Sequence, residues 1–218
     1  MFKAVIFDWD GTLADSNNIG TKIMQKVLSE AGYTVDDRAL KSRIGVGTKQ
    51  IFREVLEEID ATYDEILIQK LYDKNLSDYT KALNKIQLFN GVVELLDTLH
   101  NQVIVALATM SERKAIDLLL QEKKLSKYFD IVVAADEASK PKPDPEIFLK
   151  CASKVDVEPD DCVVVEDSVF GVKAAKEAGM KCIAVTTGFY TAAELEREGA
   201  DLITSSVNDK DKITRFIF

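Results

Sequence analysis

The stretch Lys3-Ala4-Val5-Ile6-Phe7-Asp8-Trp9-Asp10-Gly11-Thr12-Leu13 decides how the whole chain is read. A short apolar run, partly β-branched, stops abruptly at two acids and a glycine. Bounded in that way, the run predicts a buried strand that ends in a tight loop. Side chains two apart in an extended segment share a face, so Asp8 and Asp10 can point into one site. Gly11 permits the sharp turn behind them.

Five further segments resemble the first: Val103–Ala108, Ile131–Ala134, Cys162–Val165, Cys182–Val185 and, more weakly, Asp201–Thr204. Their apolar residues run on continuously instead of alternating, as in strands buried on both faces of a parallel sheet. Amphipathic helices are predicted between them, over Gly91–Leu99, Ser111–Lys123, Pro145–Val155 and Ser168–Ala178. Asp144 is a candidate cap before Pro145, and Gly179 stands just past the end of the last of these. Strand and helix in alternation predict an α/β fold built on a doubly wound parallel sheet.

One stretch breaks the alternation. Three helical patterns, around Ile19–Leu28, Ile51–Ile59 and Ile66–Ile86, follow one another with no strand. An insert of roughly 70 residues is too long for an ordinary crossover. Residues 15–88 are therefore expected to form a separate all-helical cap domain, and residues 1–14 and 89–218 the α/β core.

Composition narrows the function. The 218 residues carry a net charge of −9, with a pI near 4.8. Non-specific binding to nucleic acid or to an anionic membrane needs a basic surface, so neither partner is expected. No apolar run reaches the roughly 18 residues of a membrane span, and the N-terminus lacks the pattern of a signal peptide. Cys151, Cys162 and Cys182 form no CxxC pair and fit a reducing cytoplasm. His100 is the single histidine, which leaves a two-His zinc site without ligands.

Ligands of open α/β sheets bind beyond the carboxyl ends of the strands. Asp8 and Asp10 follow the first strand; Thr109 and nearby Ser111 follow the second. The lysine-bearing loop Lys140-Pro141-Lys142-Pro143-Asp144-Pro145 follows the third, and Glu166 and Asp167 follow the fourth. Clustered carboxylates stay ionised only beside a cation, and oxygen-only donors favour Mg2+. A hydroxyl, a lysine and backbone donors at Ser111 suit a phosphoryl group. One carboxylate as nucleophile and a second two residues on can divide phosphoryl transfer into two steps.

Asp8-Trp9-Asp10-Gly11-Thr12-Leu13, then Thr109, then Lys140-Pro141, then Glu166-Asp167-Ser168 with Gly171, resembles the haloacid dehalogenase superfamily. The cap position resembles its phosphoglycolate phosphatase and β-phosphoglucomutase branches. That resemblance implies Asp8 as the nucleophile that becomes an aspartyl phosphate, and Asp10 as general acid and then base. It implies Thr109 and Lys140 as phosphate-orienting groups. Lys140 is preferred to Lys142 because the family's lysine stands immediately before the first proline. Asp8, the carbonyl of Asp10 and Asp167 are implied as Mg2+ ligands, with Glu166 a direct or water-mediated fourth.

The expected activity is a Mg2+-dependent phosphatase of a small phosphorylated metabolite, acting as a monomer or homodimer. The alternative is a β-phosphoglucomutase-like sugar phosphomutase. Such mutases carry a cap histidine where this chain has Gly20, which favours the phosphatase. Asp10 disfavours a dehalogenase or a phosphonatase, which lack that acid. In the cap, the loop Gly45-Val46-Gly47-Thr48-Lys49 is expected to close over the site, with Arg43, Thr48 and Lys49 contacting substrate beside Gly11 and Ser111. Met110 stands where the family often has asparagine.

Overall fold

Ala4 and Ile6 face one hydrophobic layer, and Val5 and Phe7 face the other. The two-residue period of a strand produces this division, and it recurs along the sheet: Val105 and Leu107 on one side, Ala106 and Ala108 on the other. A strand covered on both faces has no polar side to display, which is why these segments read as unbroken apolar runs.

The computed structural model describes residues 1–218. In chain order its elements are β1 (Ala4–Phe7), β2 (Ala14–Asp15), α1 (Asn17–Glu30), α2 (Asp37–Lys41), α3 (Thr48–Glu58), α4 (Glu65–Ala82), β3 (Gln87–Leu88), α5 (Val92–Leu99) and β4 (Ile104–Ala108). There follow α6 (Arg113–Glu122), β5 (Ile131–Val133), α7 (Glu146–Lys154), β6 (Cys162–Glu166), α8 (Val169–Glu177), β7 (Lys181–Val185), α9 (Ala192–Arg197), β8 (Leu202–Thr204) and α10 (Lys210–Ile217). Six strands form one parallel sheet in the order β5-β4-β1-β6-β7-β8. Helices flank both faces: α5, α6 and α10 contribute to one layer, α7, α8 and α9 to the other. All six strands expected from the sequence are present, and the fold is the doubly wound α/β class. No helix is long and apolar enough to cross a membrane.

The strand order reverses direction at β1, which lies between β4 and β6. The loops leaving these three strands meet at one edge of the sheet, at a switch point of the kind that forms ligand crevices.

Helices α1 to α4 fill the long insert. Thirteen buried residues, among them Leu28, Phe52, Leu56 and Ile68, form a core of their own there. The insert also carries α2, which the sequence pattern did not indicate, and no strand interrupts its helices. At its two ends β2 and β3 pair antiparallel, Ala14 with Leu88 and Asp15 with Gln87. The separation from the sheet is incomplete: Tyr79, Leu83 and Ile86 belong to the hydrophobic layer under the sheet. Gly45 lies against Ser168, Gly47 lies against Met110, and the Tyr190 hydroxyl is 2.9 and 3.0 Å from the carbonyl oxygens of Ser42 and Ile44. The helical layer therefore rests directly on the sheet edge.

Candidate active site

Asp8 leaves the end of β1 with its amide bonded to the Val165 carbonyl (2.9 Å), which anchors the acid beside β6. Its side chain is buried, and its Oδ1 accepts a hydrogen bond from Lys142 Nζ at 2.7 Å. The same ammonium donates to Glu166 Oε1 at 2.6 Å and lies 4.9 Å from the centre of the Phe148 ring. Burial alone would lower the pKa of Lys142, but the two carboxylates more than offset this and raise it, so the ammonium stays charged.

This placement corrects the sequence reading, which took Lys140 for the site. Lys140 is exposed and pairs with Asp144 (3.2 Å). Each lysine of the loop precedes a proline, so dipeptide spacing could not separate them. The path of the loop does. Glu146, at the start of α7, accepts from the amides of Ser139 and Lys140 (2.8–3.1 Å) and pairs with Lys150. That clamp holds the first lysine at the surface and lets the chain deliver the second inward.

Glu166 is the last residue of β6. Its Oε2 accepts from the amides of Asp167 and Ser168 (2.8 and 2.7 Å) and from the Ser168 hydroxyl (3.0 Å), while Oε1 takes Lys142. Ser168 in turn caps α8, accepting from the Gly171 amide at 3.0 Å. A Cβ at Gly171 would lie 1.8 Å from Glu166 Oε1, so only glycine fits there. Asp167 accepts from Asn17 Nδ2 at 3.0 Å. Its carboxylate is cradled by Gly11 and Gly188, where an added Cβ would come within 2.0 Å of Oδ2; Gly11 also has φ +80°, which favours glycine.

Oxygens of Asp8, Glu166 and Asp167 all lie within 4.8 Å of one another. Burial raises the pKa of Asp8 to about 8, with Lys142 pulling against it. Burial, then the charges of Glu166 and Asp8, raises that of Asp167 as well. Three buried carboxylates beside one ammonium are short of positive charge. The donors are all hard oxygens, and a divalent cation such as Mg2+ fits them on both counts. A carboxylate offers about four acceptor positions. Glu166 already accepts four hydrogen bonds, which leaves Asp8 and Asp167 as the freer ligands.

Asp10 is held differently. Its Oδ1 accepts from Ser16 Oγ (2.6 Å) and from the Tyr79 hydroxyl (3.0 Å), and its Oδ2 from Ser111 Oγ (2.6 Å). Thr109, fully buried behind β4, accepts from the Ser111 amide (3.0 Å). The expectation that Ser111 opens a helix with free amides is therefore corrected: α6 starts at Arg113 and the Ser111 amide is already bonded.

A cavity of about 100 Å³ lies between sheet edge and helical layer, walled by Asp8, Asp10 and Asp167 on one side and by Thr48, Tyr72 and Asn75 among others on the opposite side. Ser111 and Thr48 line it. Arg43 and Lys49 do not. Arg43 is bonded to Glu54, Glu58 and the Ala39 carbonyl, and Lys49 stacks its ammonium 4.5 Å from the centre of the Tyr72 ring. Arg43 is thus engaged by the helical layer's own groups, and Lys49 by a ring of the cavity wall. The sequence reading did not single out Asn17, Ser16, Tyr79, Asn75 or Gly188, none of which stands in a pattern that marks it.

Comparison with known proteins agrees with this geometry. A family profile described as haloacid dehalogenase-like hydrolase matches residues 5–185. The chain is 33% identical over 184 residues to a fructose-1-phosphate phosphatase, YqaB, of Escherichia coli, covering 84% of this chain and 96% of that one. A hydrolase from Pseudomonas syringae superposes with a TM-score of 0.92 at 26% identity, covering 99% of each chain. A β-phosphoglucomutase from Clostridium difficile superposes with a TM-score of 0.87, covering 100% of this chain and 99% of that one; at 24% identity it shows shared fold alone.

Proposed function

The chain belongs to the haloacid dehalogenase-like hydrolases and is a phosphoric monoester hydrolase, and from that premise we propose that it is a Mg2+-dependent phosphatase of small phosphorylated metabolites acting through an aspartyl phosphate on Asp8. The observation that carries the reading is the Lys142 ammonium held between Asp8 and Glu166, with Asp167 alongside.

Lys142 takes up Asp8 Oδ1, so Oδ2 is the oxygen that attacks phosphorus. As that bond forms, the bond from phosphorus to the alcohol oxygen breaks, and Asp10 gives the departing oxygen its proton. Water then attacks the phosphorus and passes a proton to Asp10. The bond between phosphorus and Asp8 breaks, and inorganic phosphate leaves. Ser16, Tyr79 and Ser111 fix the Asp10 carboxyl through both steps. Lys142 keeps Asp8 oriented and reduces its repulsion from the incoming dianion. Asp8, Asp167 and the Asp10 carbonyl would hold Mg2+, with Glu166 a direct or water-mediated fourth; the ion would supply charge neutralisation at the phosphoryl oxygens.

In this reading residues 15–88 are the cap, and the β2–β3 pair is its link to the core. Closing it excludes water from the first step. Gly20, on the cavity wall, offers no side chain for the proton transfers a mutase needs at a second hydroxyl. Three unpaired, buried cysteines support a cytoplasmic location.

Release of inorganic phosphate from p-nitrophenyl phosphate tests the proposal. Turnover should require Mg2+, vanish with EDTA and vanish in Asp8→Asn. Persistent hydrolysis in Asp8→Asn would remove the nucleophile assignment. Conversion of β-glucose 1-phosphate to the 6-phosphate without phosphate release would make the chain a mutase instead.

A further inference from the structure

Asn75 projects from α4 into the wall of the cavity and is only 6% exposed, yet its Oδ1 is buried with no hydrogen-bond partner. An unpaired buried amide is costly, and chains keep one where something else completes it. A half-turn of the amide exchanges its two ends, so Asn75 can present either an acceptor or a donor to a molecule in the cavity.

The charges around that amide are one-sided. Besides the acids at the sheet edge, the cavity wall carries Glu112 and no lysine or arginine. Of the two cations in or beside the cap loop, Arg43 is held on Glu54 and Glu58, and Lys49 stands outside the lining with its ammonium against the ring of Tyr72. Lys142 lies beneath Asp8, on the phosphoryl side. The rest of the wall around Asn75 mixes apolar Met24, Ile51 and Leu76 with the hydroxyl-bearing Thr48 and Tyr72.

We propose that this cavity selects phosphomonoesters whose alcohol is uncharged and bears hydroxyl groups, with Asn75 as the group that reads a hydroxyl of the leaving alcohol. A second anionic group on the substrate would enter a low-dielectric space facing Asp10 and Glu112, with no lysine or arginine in its lining. A hydroxyl in the same place meets an amide that lacks a partner. The inference rests on the phosphatase reading and adds the class of alcohol to it.

Matched pairs isolate the charge of the leaving group: 2-hydroxyethyl phosphate against 2-phosphoglycolate, and glycerol 3-phosphate against 3-phosphoglycerate. With the Mg2+-loaded enzyme, the neutral member of each pair should have the higher kcat/KM, by about tenfold or more. The same ranking is expected for dissociation constants measured by calorimetry on Asp8→Asn. Asn75→Leu should lower kcat/KM for glycerol 3-phosphate about tenfold more than for p-nitrophenyl phosphate, which has no hydroxyl to read. Asn75→Lys should narrow or reverse the preference in both pairs. Equal or better turnover of the carboxylates, alongside brisk hydrolysis of p-nitrophenyl phosphate, would overturn the inference and leave the phosphatase reading standing. Failure to release phosphate from any of the five compounds would overturn both. A preference left unchanged in Asn75→Lys and Asn75→Leu, with both variants folded by circular dichroism, would remove Asn75 from the selection.

Discussion

The hydroxyl of Tyr79 donates a hydrogen bond to Oδ1 of Asp10 at 3.0 Å, joining the longest helix of the insert to the loop behind β1. Tyr79 is buried, and burial and the Asp10 carboxylate both raise its pKa, so it remains a donor at neutral pH. Ser16 and Ser111 complete the shell around Asp10. The group proposed to give and then take a proton is thus aligned by a residue from the helical layer as well as by the sheet edge. Tyr79→Phe is expected to lower kcat about tenfold while leaving KM within about twofold, because it loosens the acid without touching the phosphoryl site. Steady-state kinetics on p-nitrophenyl phosphate check this, and an unchanged kcat would remove Tyr79 from the positioning of Asp10.

Lys142 and Lys140 differ by two positions and should differ sharply in effect. Lys142→Ala leaves Asp8 and Glu166 facing each other without their shared cation. Removing one partner of a buried ion pair costs about 3–5 kcal/mol, so the urea midpoint should fall along with activity. Lys140→Ala touches only an exposed pair and should shift stability by less than about 1 kcal/mol. Equal losses in the two variants would reverse the assignment.

Gly20 has nothing within 4 Å of where a Cβ would stand, and it lines the cavity from within α1. Gly20→Leu should raise stability by up to about 1 kcal/mol, since glycine is a poor helix former. The added side chain narrows the space left for the alcohol. The variant is expected to raise KM for glycerol 3-phosphate more than for 2-hydroxyethyl phosphate, with Tm and KM measured on the same preparation. A KM shift equal for both would place Gly20 outside the leaving-group side.

The acids of the site predict a dependence on pH. Asp8 carries a pKa of about 8 in the metal-free protein because burial disfavours its charge, against the usual value near 4 in an unfolded chain. The folded state therefore holds a proton that the unfolded state has lost across this interval, and stability falls as pH rises from about 4 to about 8. Asp167 shifts in the same direction. Mg2+ must displace these protons, so its affinity should rise over the same range and its binding should release protons. Thermal melts between pH 5 and 8, with and without Mg2+, check this: the metal-free Tm should decline with pH and the gap opened by Mg2+ should widen. A metal-free Tm that climbs toward pH 8 would contradict the burial of these carboxylates.

The parallel, doubly wound sheet, its flanking helices and the acids at the strand ends were all legible in the chain itself, whereas the order of the strands was not. Continuous apolar runs report burial on both faces, and a residue that follows such a run must lie at the sheet edge, as Asp8, Thr109 and Asp167 do. These are local consequences of a two-residue period and of chain adjacency, so they survive without knowledge of the rest of the molecule. Even Gly171 was visible as part of a motif, although its reason, the Glu166 carboxylate that lies where its Cβ would be, was not.

The choice between Lys140 and Lys142 was decided only by tertiary structure. The bond from Lys142 to Asp8 spans 134 positions, and it forms because Glu146 pins the start of the loop at the surface. The same holds for Tyr79 on Asp10, for Asn17 on Asp167 and for the unpaired amide of Asn75, all carried by helices whose sequence periodicity records which face is apolar but not what lies across a cavity. Arg43 and Lys49 show the converse: their charge suggested substrate contacts, and neighbours within the helical layer engaged them first. Periodicity is written along the chain, whereas the partner of a polar side chain is set by how loops and layers meet in space.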